Sequence, residues 1–290
     1  MGDVGLRQRR RLAERIDCRR AHRRAREDDP LNGWHALDSE LDLWKASGRH
    51  AQLWWRDDDA CRDSPALSRL LELAATANIP IALAVIPALV DGSLDDALRQ
   101  ARTVTVLQHG YAHRNHAPAG ERNWELGDHR PVEAVVAELE TGRTELGRRF
   151  GPRFVPVLVP PWNRIDARVV MRLPVAGYRG LSTFGPRDVA EPALTFVQCN
   201  THVDVIAWGR GRVFIGTDAA IDRVVAHLRA RREGAVDPAE PTGVLTHHLD
   251  LQDEAWQFLA ELIARSKAHG AATWIGAGTA FRPVTSARSA

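Results

Sequence analysis

The stretch QLWWRDDDACRDSPALSRLLELAATANIPIALAVI, residues 52–86, decides the fold of this chain. It begins with a largely apolar run, Gln52–Asp57, which is typical of a buried strand. Ser64 and Pro65 follow in the positions of an N-cap and a first helical residue, so a helix is predicted after them. A second apolar run, Ile79–Ile86, predicts the next strand. A strand, a helix and a strand in this order form a βαβ unit, whose two strands lie parallel.

The same alternation continues along the chain and predicts the fold class. About seven such units indicate an α/β protein with a distorted parallel (β/α) barrel, and an open doubly wound sheet is the alternative. A dinucleotide-binding sheet is not indicated, because no Gly-x-Gly-x-x-Gly follows the first strand. The further predicted strands are Val104–Gln108, Phe154–Val159, Tyr178–Thr183, Phe196–Thr201, Gly243–Thr246 and Ala272–Ile275, and the predicted helices are Ser64–Ala77, Ser93–Arg102, Pro131–Arg149, Asp166–Leu173, Asp218–Arg232 and Asp253–Ala268.

Composition places the chain among ordinary soluble globular proteins. Of its 290 residues, 44% are apolar and 26% are charged, which excludes the collagen-like, coiled-coil and fully disordered classes. Its three cysteines are too few and too scattered for a disulfide framework or a cysteine-based zinc site. No run approaches the about 18 to 20 apolar residues of a membrane span, so none is predicted.

The first 26 residues differ from the rest in charge. They contain ten arginines and three acidic residues, which gives this segment a charge of +7 and leaves −5 on the remainder. We expect residues 1–30 to be a disordered basic tail, or to follow from an upstream start codon, and 31–290 to form a single barrel domain. Binding of nucleic acid by the arginines is the less favoured interpretation. The segment lacks the apolar core of a secretory signal, so a cytoplasmic location is expected.

Polar and ionisable residues cluster where the predicted strands end. In a (β/α) barrel the active site lies at the C-terminal ends of the strands. Five segments hold carboxylates, imidazoles or turn residues at that end of the predicted barrel, namely Arg56–Asp59, His109–His113, Pro160–Arg164, Asn200–Asp204 and Leu245–His248. The sequence therefore predicts a catalytic or metal-binding site there.

The His-x-x-x-His pair His109 and His113 is a candidate for metal binding. In a helix or tight turn this spacing places both imidazoles on one face, and a carboxylate from the first strand would complete a two-histidine, one-carboxylate site. Zinc suits this ligand set best, and cobalt, nickel or manganese would fit the same atoms.

The three adjacent aspartates support the metal hypothesis. Carboxylates crowded at a strand end repel one another, and burial of an unpaired one is costly. A solvated turn in which Asp59 or Asp63 caps the following helix would explain only one of them. A metal ion together with Arg56 would explain the others.

These five segments, in this order, resemble the motifs of the polysaccharide deacetylases, carbohydrate esterase family 4. The resemblance covers roughly residues 52–275 and looks like a divergent branch. It implies a distorted (β/α) barrel and a metal-dependent hydrolase of carbon–nitrogen (non-peptide) bonds. Its expected substrate is an acetylated carbohydrate or amino sugar, from which it removes an N-acetyl or O-acetyl group.

The resemblance also implies roles for the first two motifs. Asp58 corresponds to the catalytic base, and Asp59, His109 and His113 correspond to the metal ligands. A register shifted by one residue would make Asp57 the base and Asp58 the ligand.

In the third motif, Pro160-Pro161-Trp162 matches a turn whose backbone N–H helps to form the oxyanion site. Val159 replaces the arginine that orients the base in the family, and Arg56 or Arg164 could take its place.

The fourth and fifth motifs supply the proposed acid. Asp204 with Trp208 resembles the fourth, and Leu245-Thr246-His247 resembles the fifth. The resemblance implies that His247 is the general acid and that Asp204 holds its tautomer. His248 is the competitor, because adjacent strand residues face opposite ways.

Aromatic side chains would provide faces for a sugar ring. Tyr111, Trp162 and Trp208 are the candidates, although each could instead pack in the core. Two other functions stay open. One is a hydrolase of the same fold that acts on a small cyclic or linear amide. The other is a non-catalytic protein, either a glycan-binding barrel or a nucleic-acid binder.

Overall fold

The computed structural model describes residues 32–188 and 196–283. The predicted basic tail, residues 1–30, lies outside the described residues. Within the described ranges, no helix combines the length and apolar character needed to cross a membrane.

Helices and strands alternate along the described chain. In chain order they are α1 (Asn32–Ala46), β1 (Ala51–Ala60), α2 (Pro65–Thr76), β2 (Ile81–Val85), α3 (Gly92–Leu98), β3 (Val104–His109), α4 (Val132–Phe150), β4 (Phe154–Val159), α5 (Ala167–Val170), β5 (Gly180–Leu181), β6 (Val197–Gln198), β7 (Val203–Asp204), β8 (Ile206–Ala207), β9 (Val213–Phe214), α6 (Thr217–Glu233), β10 (Thr242–Thr246), α7 (Asp253–His269), β11 (Ala272–Trp274) and α8 (Ala277–Ala280). Short 3₁₀ turns follow several strands, at Pro87–Leu89, Pro161–Asn163, Trp208–Arg210 and His248–Asp250.

The main sheet confirms the predicted barrel. Nine strands of the described ranges form it in the order β6-β5-β4-β3-β2-β1-β10-β7, with β11 paired to the start of β1. All of these pairings are parallel, whereas β8 and β9 form a separate antiparallel pair. Strands β1 to β6 are neighbours in chain order, which is the arrangement of a barrel and not of a doubly wound sheet.

One short segment brings the two ends of the sheet together. Strands β6 and β7 are the two edge strands of the sheet, yet only four residues separate them in the chain. Within this segment the N–H of Thr201 donates to the carbonyl of Thr183, and the N–H of His202 donates to the carbonyl of Gly243. The segment thus crosses from the β5 side to β10 and curls the sheet into a barrel.

Strand β1 lies near the middle of the sheet and is buried on both faces. Trp54 belongs to the cluster inside the barrel, where small residues such as Ala82 and Ala84 leave room for its ring. Leu53 and Trp55 belong to the cluster between the sheet and the surrounding helices. Because side chains alternate along a strand, Arg56 and Asp58 share the inner side with Trp54. This alternation positions the site described below.

Helix α1 was not predicted from the sequence. Trp34, Leu37, Leu41 and Trp44 are buried along one side of it, and the helix packs against α6 and α7. Their spacing of three and four residues is that of an amphipathic helix, so the signal was present in the sequence.

Candidate functional site

The five predicted segments meet at the C-terminal ends of the barrel strands. They surround a cavity of about 430 Å³. Phe184, Arg212 and Asp250 also line it and were not predicted. The predicted residues that line it are Asp58, Asp59, His109, His113, Trp162, Arg164, Asp204, Trp208 and His247.

The three aspartates at the end of β1 point in different directions. Asp57 faces away from the cavity, where it accepts from Thr246 Oγ1 at 2.6 Å and lies 2.6 Å from His248 Nδ1. Asp58 faces the cavity from the inner side of the strand. Asp59 has a φ of +70°, and the pairing register with β2 shifts around it, which turns its side chain into the cavity as well. The bulge therefore separates carboxylates that would otherwise repel one another.

Asp59, His109 and His113 bring three possible metal ligands together. Asp59 Oδ1 lies 3.1 Å from His109 Nε2 and 3.4 Å from His113 Nε2. Among the described residues, these two imidazoles are the only groups that face this buried oxygen within hydrogen-bond distance. His109 Nδ1 lies 3.0 Å from the carbonyl oxygen of Val159, which can only accept, so Nδ1 carries the hydrogen. A neutral His109 then directs an electron pair at Asp59, and a divalent cation would satisfy both atoms.

The electrostatics of the three residues agree with this arrangement. Burial acts to raise the pKa of Asp59, but the close approach of His109 and the charges of nearby histidines hold that pKa far below its usual range. Burial acts to lower the pKa of His109, but Asp59 and Asp58 raise it overall. Burial and the neighbouring His109 lower the pKa of His113, which keeps that imidazole neutral. The site therefore offers an ionised carboxylate and a neutral imidazole, with a second imidazole that a cation would deprotonate.

Glu125 braces the loop that carries His113, and no sequence signal indicated it. Its carboxylate is buried and accepts from three backbone N–H groups, those of Tyr111, Ala112 and Arg114, at 3.2, 2.7 and 3.3 Å. Gly110 has a φ of +53°, and a Cβ there would overlap Glu125 Oε2. The loop can therefore pass over the carboxylate only with glycine at this position. Tyr111, a predicted ring platform, does not line the cavity.

Arg56 holds Asp58 in place. Its Nη2 donates to Asp58 Oδ2 at 3.0 Å, and its Nε lies 2.9 Å from Asp58 Oδ1, so the two groups form a buried two-point ion pair. Nη2 also donates to Asn163 Oδ1 at 2.9 Å, and Nη1 donates to Ser182 Oγ at 2.7 Å. Arg164 instead donates from Nη1 to the carbonyl of Asn123 at 2.9 Å. Of the two arginines considered above, Arg56 is the one that contacts Asp58.

The Pro160–Asn163 turn presents an aromatic ring to the cavity. Trp162 and Asn163 both have a φ of +55°, which is rare for residues other than glycine. The centre of a Trp162 ring lies 4.5 Å from that of His113. Pro161 is buried beneath this turn, next to Gly110, and does not line the cavity.

His247 and Asp204 both line the cavity but do not form the expected hydrogen bond. His247 Nδ1 has no hydrogen-bond partner in the described part of the chain, and its ring meets Trp208 edge-on at 4.6 Å. Asp204 accepts from Trp208 Nε1 at 2.7 Å and from the N–H of Ile206 at 3.0 Å. Burial raises the pKa of the Asp204 carboxyl. His248 is buried against Asp57, outside the cavity.

A second buried group, His202, His227 and Glu240, resembles a metal site in composition only. His202 Nδ1 accepts from the N–H of Gly243 at 3.0 Å, so the hydrogen of a neutral His202 is on Nε2, which faces Glu240 Oε2 at 3.3 Å. A ring in this tautomer has no electron pair left for a cation. In His109, by contrast, the nitrogen that faces the carboxylate keeps its electron pair. The group of Asp59, His109 and His113 is therefore the better suited of the two to bind a metal ion.

Comparisons with known proteins agree on the fold. No family model matches the sequence, and no curated protein matches it. Among solved structures, the chain is similar to a Mycobacterium smegmatis protein classed as a polysaccharide deacetylase, with 18% identity over 80% of this chain and 88% of that one and a TM-score of 0.57. A peptidoglycan N-acetylglucosamine deacetylase, Bc1960, shows 14% identity over 80% and 88% of the two chains and a TM-score of 0.51. A variant of a carbohydrate esterase family 4 pseudoenzyme with restored activity shows 15% identity over 81% and 68% and a TM-score of 0.52. The fold is thus that of the family 4 deacetylases, as predicted.

Proposed function

We propose that this protein is a metal-dependent hydrolase that removes an N-acetyl or O-acetyl group from a carbohydrate. One observation carries the proposal: Asp59 Oδ1 lies 3.1 and 3.4 Å from the Nε2 atoms of His109 and His113, so one carboxylate oxygen and two imidazole nitrogens converge at the cavity. Because this fold also occurs in a pseudoenzyme, the fold alone does not establish catalysis.

Asp59, His109 and His113 would hold the metal, and zinc is the ion that this donor set favours. When bound, such an ion polarises a carbonyl and makes water a stronger acid. Three protein ligands are fewer than the four or more that such an ion takes, so a position would remain for water or substrate.

Asp58 would act as the base that takes a proton from the attacking water. It lines the cavity next to Asp59, whereas Asp57 is turned away toward His248. The two-point contact with Arg56 fixes the orientation of its carboxylate. A base must be held within hydrogen-bond reach of the proton that it removes, and the buried guanidinium provides that restraint.

His247 would donate a proton to the departing nitrogen or oxygen. Its ring is held against Trp208, and its Nδ1 is not engaged by any described residue. Asp204 lies close enough for its charge to act on His247 and would stabilise the imidazolium form. A backbone N–H near Trp162 would contribute to the oxyanion site, and the rings of Trp162 and Trp208 would contact the sugar.

Metal content tests the first part of the proposal. The full chain is purified and its metal is quantified by mass spectrometry, beside the His109→Ala/His113→Ala variant. We expect about one ion per chain in the wild type and none in the variant. His116→Ala is the matched control, because His116 lies in the same loop but outside the ligand group, and it should retain the ion. Absence of metal in the wild type, even after reconstitution, would overturn the proposal.

Activity tests the second part. Release of acetate is measured with acetylated amino sugars and acetylated xylan, and small cyclic amides serve as the competing substrates. Asp58→Asn should keep the metal and lose turnover. If Asp58→Asn loses the metal instead, Asp58 is a ligand and its assignment as the base is wrong. Hydrolysis of the amides alone would support the amidohydrolase alternative.

A further inference from the structure

We infer that the substrate carries an anionic group, a phosphate or a carboxylate, which Arg164 and Arg212 bind beside the scissile acetyl group. The inference rests on the proposed function, to which it adds the charge class of the substrate. Neither arginine belongs to the group formed by the base, the ligands and the acid.

Arg164 is a half-buried cation in the wall of the cavity. It directly follows the Pro160–Asn163 turn, and its Nη1 donates to the carbonyl of Asn123 at 2.9 Å. This bond to the backbone restrains the guanidinium without neutralising its charge. No carboxylate in residues 32–188 or 196–283 pairs with it, so its other N–H groups stay available to a ligand.

Arg212 is the second cation of the cavity and lies beside Trp208. Its backbone φ is +58°, and its guanidinium lies over the Trp208 ring, 5.6 Å from the ring centre. The carboxylate nearest to it is that of Asp250, at 3.6 Å, which is beyond hydrogen-bond distance. Its side chain is 67% exposed, so a ligand can replace this weak contact at small cost.

The charges that line the cavity do not sum to zero when a divalent cation is bound. Asp58 is already paired with Arg56, and Asp204 and Asp250 offset at most the two arginines. Asp59 offsets one of the two charges of the cation. The cavity therefore keeps an excess of positive charge, and a neutral glycan would leave that charge unmatched.

The chemistry of guanidinium groups favours phosphate or carboxylate as the partner. Their planar N–H donors match the oxygens of both groups in two-point hydrogen bonds. A phosphate has three free oxygens and a carboxylate has two, so either group can accept two hydrogen bonds from one guanidinium. Variants of the two arginines measure how much each contributes.

The test is equilibrium binding to the metal-loaded full chain by calorimetry. The probes are glucose 1-phosphate, glucose 6-phosphate and glucuronate, with glucose as the neutral reference. None of them carries an acetyl group, so binding is measured without turnover. We expect at least one phosphate or glucuronate to bind about tenfold or more tightly than glucose, because charge-assisted hydrogen bonds are the strong ones. The advantage should fall as salt is raised.

Variants assign the effect to the two side chains. Arg164→Gln and Arg212→Gln should each reduce the advantage for phosphate, and the double variant should abolish it. Arg172→Gln is the matched control, because Arg172 is exposed outside the cavity and should leave binding unchanged.

Two results would overturn the inference. The first is equal binding of glucose and all three anions to the wild type. The second is an advantage for anions that survives in the double variant, which would assign their binding to the metal ion. Failure here is separate from failure of the proposed function, because the metal content and the release of acetate are measured independently of these arginines.

Discussion

Replacement of Glu125 by glutamine would measure how far the proposed metal site depends on the loop that carries His113. Glu125 is buried and accepts hydrogen bonds from the N–H groups of Tyr111, Ala112 and Arg114. These three residues surround His113 in the chain, and His113 itself has a φ of +54°. The carboxylate therefore holds a strained loop in the shape that directs the imidazole to Asp59.

The expected loss of stability follows from these hydrogen bonds. Glutamine retains one carbonyl oxygen, which can keep the bonds to Ala112 and Arg114. Its NH₂ group then faces the N–H of Tyr111, so one bond to a charged acceptor is lost and two donors confront each other. Such a bond contributes about 1.5 to 3 kcal/mol, and a buried unpaired donor adds a further cost, so we expect a loss of about 2 to 4 kcal/mol.

The assays are urea unfolding and metal competition with a chromophoric chelator. Substitutions that support metal ligands from behind typically weaken metal binding by about 10- to 100-fold, and we expect a change of this size for Glu125→Gln. Glu138→Gln is the control: Glu138 forms a half-buried pair with Arg130, outside the ligand group, and its loss should leave metal affinity unchanged. Wild-type stability together with wild-type metal affinity in Glu125→Gln would refute the argument.

Two further predictions concern buried ionisable side chains, Arg56 and His227. Arg56→Lys keeps a positive charge but cannot make the two-point contact with Asp58, so kcat should fall by about tenfold or more. The metal content should be unchanged. Loss of metal in this variant would contradict the role of Arg56 in positioning Asp58. His227 titrates near pH 6.5 when unfolded, but burial, together with His202 and Arg231, lowers its folded-state pKa to about 2. His227 therefore binds a proton in the unfolded chain but not in the folded chain. The free energy of unfolding decreases as the pH falls below about 6.5. A decrease from pH 7 to pH 5 should therefore lower the free energy of unfolding by about 2 kcal/mol through His227. Urea unfolding of His227→Asn at both pH values should show a pH-dependent loss that is smaller by this amount.

The sequence contains enough information to predict the barrel, for a definite physical reason. Strands buried on both faces produce nearly continuous apolar runs, and such runs mark β1 and β2 in residues 52–86. The five polar segments converge because parallel strands end at one rim of a barrel. The strands near the closure, β6 to β9, are only two residues long, and runs of that length carry no periodicity by which to recognise them.

The details of the site were less accessible, because they depend on contacts distant in the chain. Alternation along β1 separates Asp57 from Asp58, but the bulge that turns Asp59 inward depends on its pairing with β2. Glu125 could not be identified, because its partners are backbone N–H groups and leave no mark in the side-chain pattern. Asp204 and Trp208 were grouped in one motif, but the hydrogen bond between them was not predicted, since it depends on the conformation of the turn between β8 and β9.

Arg56 places a guanidinium beside Asp58, although the third deacetylase motif has its arginine at the position that Val159 occupies in this chain. Val159 leaves that position without a charge, and its carbonyl oxygen instead fixes the tautomer of His109. Arg56 reaches Asp58 because two residues along a strand share one face. The same guanidinium also binds Asn163, in the turn that carries Trp162. The proposed base and the proposed oxyanion turn are thus tied to one buried cation, so a shift of either would break hydrogen bonds at the other. A substitution of Arg56 should therefore disturb proton transfer and substrate orientation together. The proposed ligands His109 and His113 should stay in place, because Val159 and Glu125 hold them.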